Sequence, residues 1–76
     1  MELTDFIKNF ASQFETTDLN EFSSTTQFKQ IAEWSSLLTL AIIAMINKKY
    51  KVKIKGEDIR NSSTIEDLYL IVKSRI

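Results

Sequence analysis

The chain of 76 residues contains no cysteine, no histidine and no proline, and its only glycine is Gly56. The first two absences exclude disulfides, a cysteine nucleophile, a histidine general base and the thiolate or imidazole ligands of most metal sites. The shortage of glycine and proline argues against a β-rich fold, because such folds need many turn-forming residues. A carboxylate-only active site remains possible but would need a cleft, for which a small helical bundle offers little room. We predict no metal site and no enzymatic activity of the chain itself.

Apolar residues make up 43% of the sequence, which is enough for a packed core and argues against disorder. No secretory signal is visible, and no apolar stretch is long enough to span a bilayer. A chain of this length is expected to form one domain. We predict a single domain over residues 1–76 and a soluble, cytoplasmic, monomeric protein that does not insert into membranes.

The net charge is zero, but the charges are unevenly distributed along the chain. Residues 1–38 carry two basic and six acidic side chains, a net charge of −4, whereas residues 39–76 carry eight and four, a net charge of +4. Five of the lysines lie between Lys48 and Lys55. We do not expect nucleic-acid binding, because a dedicated binder has a basic net charge and this segment offers a single aromatic residue for stacking.

Three segments have the apolar spacing of amphipathic or buried α-helices. The first covers residues 3–14, with Thr4 or Asp5 as a suitable N-cap. The second covers residues 36–50, where Thr39 is the one polar residue between Leu37 and Ile46. The third begins after Ser63, the expected N-cap, which matches a capping box with Glu66 at the third helical position. Its expected buried face consists of Ile65, Leu68, Tyr69, Val72 and Ile76.

The segments between these helices read as loops. Residues 15–35 are rich in Thr, Ser and Asn, which favour turns, and we expect a long loop held to the core by Leu19, Phe22 and Phe28. Residues 52–54 alternate like a strand but have no partner segment, so we predict a loop there. One helical turn is expected over residues 57–61. The predicted fold is all-α, a small bundle of three main helices plus one short helix.

The sharpest local feature is the sequence Trp34-Ser35-Ser36-Leu37, where the long loop meets the apolar helix. A phosphate on a serine at this junction would lie near unpaired backbone N–H groups and the positive end of the helix dipole. A serine at this position also commonly serves only as an N-cap. Trp34 is expected to anchor the loop.

The wider pattern resembles the acyl carrier protein family, in length and helix order over nearly the whole chain. That family has an Asp-Ser-Leu motif at the start of its second helix, and Ser35-Ser36-Leu37 stands in that place. Further points of resemblance are Phe28, Tyr50, Val52 with Ile54, Glu57-Asp58-Ile59 and the segment from Thr64 to Leu68.

The resemblance implies that Ser36 bears 4′-phosphopantetheine derived from coenzyme A, with Ser35 as the alternative acceptor. The arm would carry acyl, aryl or aminoacyl groups as thioesters in fatty-acid, polyketide or related biosynthesis. The implied partners are a phosphopantetheinyl transferase and acyl-transferring, synthase or ligase enzymes. Without the resemblance, the alternative is an unmodified helical protein-interaction module.

Two features depart from the family pattern. Ser35 replaces the aspartate that helps the transferase and its metal ion engage the serine, and the second helix is basic at its end where the family's helix is acidic. We expect Ile42, Ile43, Ile46 and Tyr50 to face the core. The opposite side then exposes an apolar surface, which usually marks an interaction site. Its predicted partner-binding residues are Leu37, Leu40, Ala41, Ala44 and Lys48.

Overall fold

The computed structural model describes all residues from Met1 to Ile76 and confirms the predicted all-α fold. Four α-helices follow one another along the chain, and there is no strand. Helix α1 packs on α2 and α4, and α3 contacts α2 and α4, so the four helices form a closed ring around one core. Their bounds are α1 Leu3–Ala11, α2 Ser36–Tyr50, α3 Gly56–Arg60 and α4 Ile65–Ser74.

The core is lined by aromatic rings on the side of α1 and the long loop. Phe10 contacts five other aromatic rings with centroid distances between 5.2 and 6.5 Å, including Phe28 and Trp34. Each buried side chain of this size stabilises the fold by about 1.5–3 kcal/mol. The 17 buried apolar residues are Phe6, Phe10, Ala11, Phe14, Phe22, Phe28, Leu38, Ile42, Met45, Ile46, Val52, Ile54, Ile59, Ile65, Leu68, Tyr69 and Val72.

Helix α1 is shorter than predicted. It ends at Ala11, and Phe14 reaches the core from the turn that follows. The predicted cap at Thr4 or Asp5 is wrong, because the N-cap is Glu2 and no side chain bonds to the first turn. Asp5 lies inside that turn, where its negative charge is favoured by the helix dipole.

The long connection between α1 and α2 contains two short 3₁₀ turns, Leu19–Glu21 and Phe28–Gln30. Phe22 and Phe28 are buried as predicted, but Leu19 is 69% exposed. Phe22 already packs on the phenylalanine rings of α1 and the following turn, which leaves Leu19 at the rim.

The same loop meets the start of α4. The carbonyl groups of Ser24 and Thr26 accept hydrogen bonds from the N–H groups of Glu66 and Ile65, at 3.0 and 3.1 Å. The loop therefore supplies acceptors for two N–H groups that have no partner within their own helix.

Helix α2 begins at Ser36 and ends at Tyr50, as predicted. Its core-facing side differs in part from the expected set, because Ile43 and Tyr50 are only half-buried. Tyr50 lies against Phe6 and accepts a hydrogen bond from the Asn9 amide at 2.7 Å. The buried residues of the helix are Leu38, Ile42, Met45 and Ile46.

The segment between α2 and α3 is extended and unpaired, so the predicted loop at 52–54 is confirmed. Val52 and Ile54 are buried, while the lysines between and beside them are exposed. Helix α3 begins at Gly56, one residue earlier than predicted. Asp58 of α3 forms the only ion pair of the structure, a bidentate contact with Arg75 at 2.8 Å.

Helix α4 has a capping box one residue later than predicted. Thr64, not Ser63, is the N-cap, and Asp67, not Glu66, is the reciprocal partner. The expected buried face is confirmed at four positions, but Ile76 lies beyond the helix and is 71% exposed. No helix in the structure combines the length and the apolar character that crossing a bilayer requires.

Candidate functional site

The two serines at the start of α2 differ in their interactions. Ser35 has extended backbone geometry, and its hydroxyl oxygen accepts a hydrogen bond from the N–H of Leu38 at 3.3 Å. Its carbonyl accepts bonds from the backbone and the hydroxyl group of Thr39. Ser36 is the first helical residue, is exposed, and its hydroxyl makes no hydrogen bond within the protein. Ser35 therefore caps the helix, and Ser36 has the free hydroxyl.

The backbone around Ser36 suits a negatively charged group. The N–H groups of Ser36 and Leu37 precede the first intrahelical bonds and have no acceptor in the protein. Unpaired N–H groups and the helix dipole together favour an anion at this end of α2. No acidic residue lies in the first turn to compete for this position.

Trp34 anchors the chain immediately before the two serines. Its ring stacks on Phe10 with an interplanar angle of 3° and meets Phe28 edge-on at 5.1 Å. It also stacks on Phe14 at 6.1 Å. Its role as a loop anchor was expected from the sequence, and it holds the chain against the core two residues before Ser36.

Glu33 forms a clasp that the sequence analysis missed. Its carboxylate accepts hydrogen bonds from the backbone N–H groups of Glu15, Thr16 and Thr17 at 2.7–3.0 Å. The hydroxyl groups of both threonines donate to it as well, at 3.0 and 2.9 Å. These donors, with the Glu15 N–H contributing most, lower the pKa of Glu33 from its ordinary value of 4.5 to about 2. The sequence carries no signal for this contact beyond the Thr-rich turn.

The predicted partner-binding residues lie on one side of α2, at positions three or four residues apart. Leu37 and Leu40 are 77% and 64% exposed. Ala44 is also exposed and Ala41 is half-buried, and Lys48 continues the row into the last turn. We call these five residues the α2 strip.

Two shallow depressions flank the α2 strip and meet at Gln13 and Ala41. One, of about 340 Å³, begins beside Ser35 and Leu37 and is walled by Glu15 and Glu33. The other, of about 350 Å³, ends at Lys48 and Lys49. The groove formed by both is acidic near the serines and basic at the far end. Leu37 lines this groove, which we call the α2 groove, whereas Leu40 does not.

The structure contains no group of three or more acidic side chains arranged to hold a metal ion. Known protein families, curated proteins and solved structures were compared with this chain, and none of them matches it.

Proposed function

We propose that the protein is a carrier that bears 4′-phosphopantetheine on Ser36 and performs no catalysis itself. The observation that supports this most directly is the division between the two serines. Ser35 is used as the N-cap, whereas the hydroxyl of Ser36 is exposed and unpaired. An acceptor hydroxyl must reach a second enzyme's active site, and only Ser36 meets that requirement without opening the helix end.

The residues around Ser36 fit a 4′-phosphopantetheine group. A phosphodiester on Ser36 would lie beside the unpaired N–H groups of Ser36 and Leu37, and the exposed position leaves room for a long arm. The arm supplies a thiol that holds acyl, aryl or aminoacyl groups as thioesters. Because the chain has no cysteine, that thiol would have no competitor on the carrier.

Attachment is a phosphoryl transfer performed by a separate transferase with Mg²⁺. The Ser36 oxygen forms a bond to the phosphorus that carries the pantetheine group in coenzyme A. The pyrophosphate P–O bond breaks, adenosine bisphosphate leaves with that electron pair, and the serine proton passes to a base. The carrier contributes the hydroxyl and a helix end that stabilises the product's charge.

Partner enzymes are proposed to dock on the α2 strip. Solvent-exposed leucines one helical turn apart form an apolar surface that a partner can bury, and apolar patches of this kind mark interaction sites. Lys48 at the end of the strip and the adjacent Lys49 favour a partner whose apolar groove is flanked by neutral or acidic groups. In this proposal the partners belong to fatty-acid, polyketide or related biosynthesis in the cytoplasm, and the carrier acts as a monomer.

The test is modification by coenzyme A, Mg²⁺ and a permissive phosphopantetheinyl transferase, read by intact mass and peptide mapping. The wild type and Ser35→Ala should gain the mass of the arm on Ser36, and Ser36→Ala should gain none. Ser35→Ala should also lose about 1 kcal/mol of folding stability through its lost cap, whereas Ser36→Ala should be nearly neutral.

An arm on Ser35, or no modification by several transferases, would contradict the proposal. In the second case the exposed leucines would favour an unmodified helical interaction module.

A further inference from the structure

The Glu33 clasp joins two segments that are distant in sequence. Five donors from three consecutive residues, Glu15 to Thr17, converge on one carboxylate 16–18 positions later in the chain. One oxygen accepts the four bonds from the two threonines, and the other accepts the bond from Glu15. Hydrogen bonds to an ionised acceptor are about twice as strong as neutral ones.

No cation accounts for the position of this carboxylate. The polar depression next to it is lined by Glu21 and by threonine and glutamine side chains, and the depression beside Ser35 contains Glu15. Neither contains a lysine or an arginine. The titratable neighbours of Glu33 are therefore acidic, and the N–H and O–H donors of the 15–17 turn alone hold it in place.

The clasp is the first of three successive anchors that lead to the acceptor hydroxyl. Glu33 ties the chain to the 15–17 turn, Trp34 packs into the aromatic core, and Ser35 caps α2. Ser36 follows directly, is exposed, and its hydroxyl makes no hydrogen bond within the protein that would orient it. Its placement depends on the backbone that these three residues hold.

We infer that Glu33 is a positioning residue for the modification of Ser36. It acts through the backbone of residues 33–35, and it also forms a wall of the depression beside the acceptor. The inference rests on the proposed function. Glu33→Gln tests it, because the amide keeps an oxygen for the threonines but turns an NH₂ donor toward the N–H of Glu15.

The matched control is Asp67→Asn on α4. The Asp67 carboxylate also accepts two backbone N–H bonds, from Ser63 and Thr64, and shares no hydrogen bond with the segment before Ser36. Both variants replace a hydrogen-bonded carboxylate by its amide, and both should lose some folding stability. Steady-state modification by the same transferase is measured at a temperature at which circular dichroism shows each protein folded.

Glu33→Gln should lower kcat about tenfold with little change in KM, because a misplaced acceptor reacts slowly even when the carrier is docked. Asp67→Asn should change neither constant. Equal kcat values for Glu33→Gln and Asp67→Asn would overturn the inference and leave the carrier function intact. If the wild type is not modified at Ser36, both the positioning role of Glu33 and the carrier function are overturned. The failure of the positioning role alone is therefore distinguishable from the failure of the carrier function.

Discussion

At the residue scale, three adjacent side chains before the acceptor each make a different kind of contact. Glu33 is held by polar donors, Trp34 by aromatic packing, and Ser35 by one helix-capping bond. Only the last two were visible in the sequence, because aromatic residues and helix caps depend on local pattern. The clasp depends on the path of a loop across 16–18 residues, and a lone glutamate gives no indication of that path.

The low pKa of Glu33 predicts a pH-dependent contribution to stability. Its pKa in the folded protein is about 2, below the ordinary value of 4.5. The contribution should therefore be complete above pH 4.5 and should disappear as the pH falls toward 2. We expect wild type to exceed Glu33→Gln in unfolding free energy near neutral pH and to approach it in acid. Urea unfolding followed by circular dichroism measures both.

Comparison with the variant isolates Glu33 from the other carboxylates. Asp58 and Asp67 also have lowered pKa values, Asp58 through its bond to Arg75 and Asp67 through backbone N–H groups, so the absolute stability of both proteins falls in acid. Because both proteins contain Asp58 and Asp67, these two contributions cancel in the difference between their unfolding free energies. A difference that stays constant from neutral pH to pH 2 would show that the charge of Glu33 does not stabilise the clasp.

At the element scale, α2 was predicted to the residue because its ends carry opposite local signals. Two serines precede the apolar run, and lysines follow it. The start of α4 was placed one residue early, because Ser63 with Glu66 and Thr64 with Asp67 both satisfy the capping-box pattern. The pattern alone cannot choose between them. In the structure, hydrogen bonds from the N–H groups of Ile65 and Glu66 to the loop carbonyls accompany the later start.

The C-terminal end of α2 contains a conformation that favours glycine. Lys51 has φ of 58° and is the only residue with a positive φ. A residue with a Cβ atom in this region costs roughly 1–2 kcal/mol relative to the right-handed conformation, and glycine avoids most of that cost. Glycine also costs about 0.5–1 kcal/mol of chain entropy, so Lys51→Gly should raise stability by the remainder, about 0.5–1 kcal/mol, which corresponds to several degrees in Tm for a domain of this size.

Lys53→Gly is the matched control, since it removes the same charge two residues later without relieving a positive φ. It should be neutral or destabilising, because glycine adds freedom to the unfolded chain. The Tm values of the wild type and the two variants, measured by thermal unfolding, test this prediction. Equal Tm values for the two variants would mean that the left-handed conformation of Lys51 is not strained.

At the scale of the whole molecule, the two halves of the chain carry opposite charge although the net charge is zero. The fold preserves part of this separation along the α2 groove, from Glu15 near the acceptor to Lys48 and Lys49 at the far end. A partner surface with a complementary gradient would be oriented on encounter, whereas a uniformly basic surface would meet repulsion at the lysine end.

Charge reversal at Lys48, the end of the α2 strip, and at the adjacent Lys49 tests this expectation. For a transferase that docks through a basic surface, Lys48→Glu with Lys49→Glu should lower KM, and added salt should then raise it. For the wild type, added salt should instead lower KM, because salt screens the repulsion between its lysines and the basic surface of the transferase. The control, Lys53→Glu with Lys55→Glu, changes the net charge equally but lies outside α2. Identical KM values for the two double variants would show that Lys48 and Lys49 are exposed to solvent and do not contribute to docking.

The aromatic anchor before α2 also provides an intrinsic fluorescent probe of this region. Trp34 is the only tryptophan of the chain, and its indole lies against phenylalanine rings from α1, the following turn and the long loop. Excitation at the red edge of protein absorption therefore selects one chromophore, located two residues from Ser36. Its emission colour, anisotropy and accessibility to quenchers can follow the loop–helix junction in real time, with no dye attached to the chain.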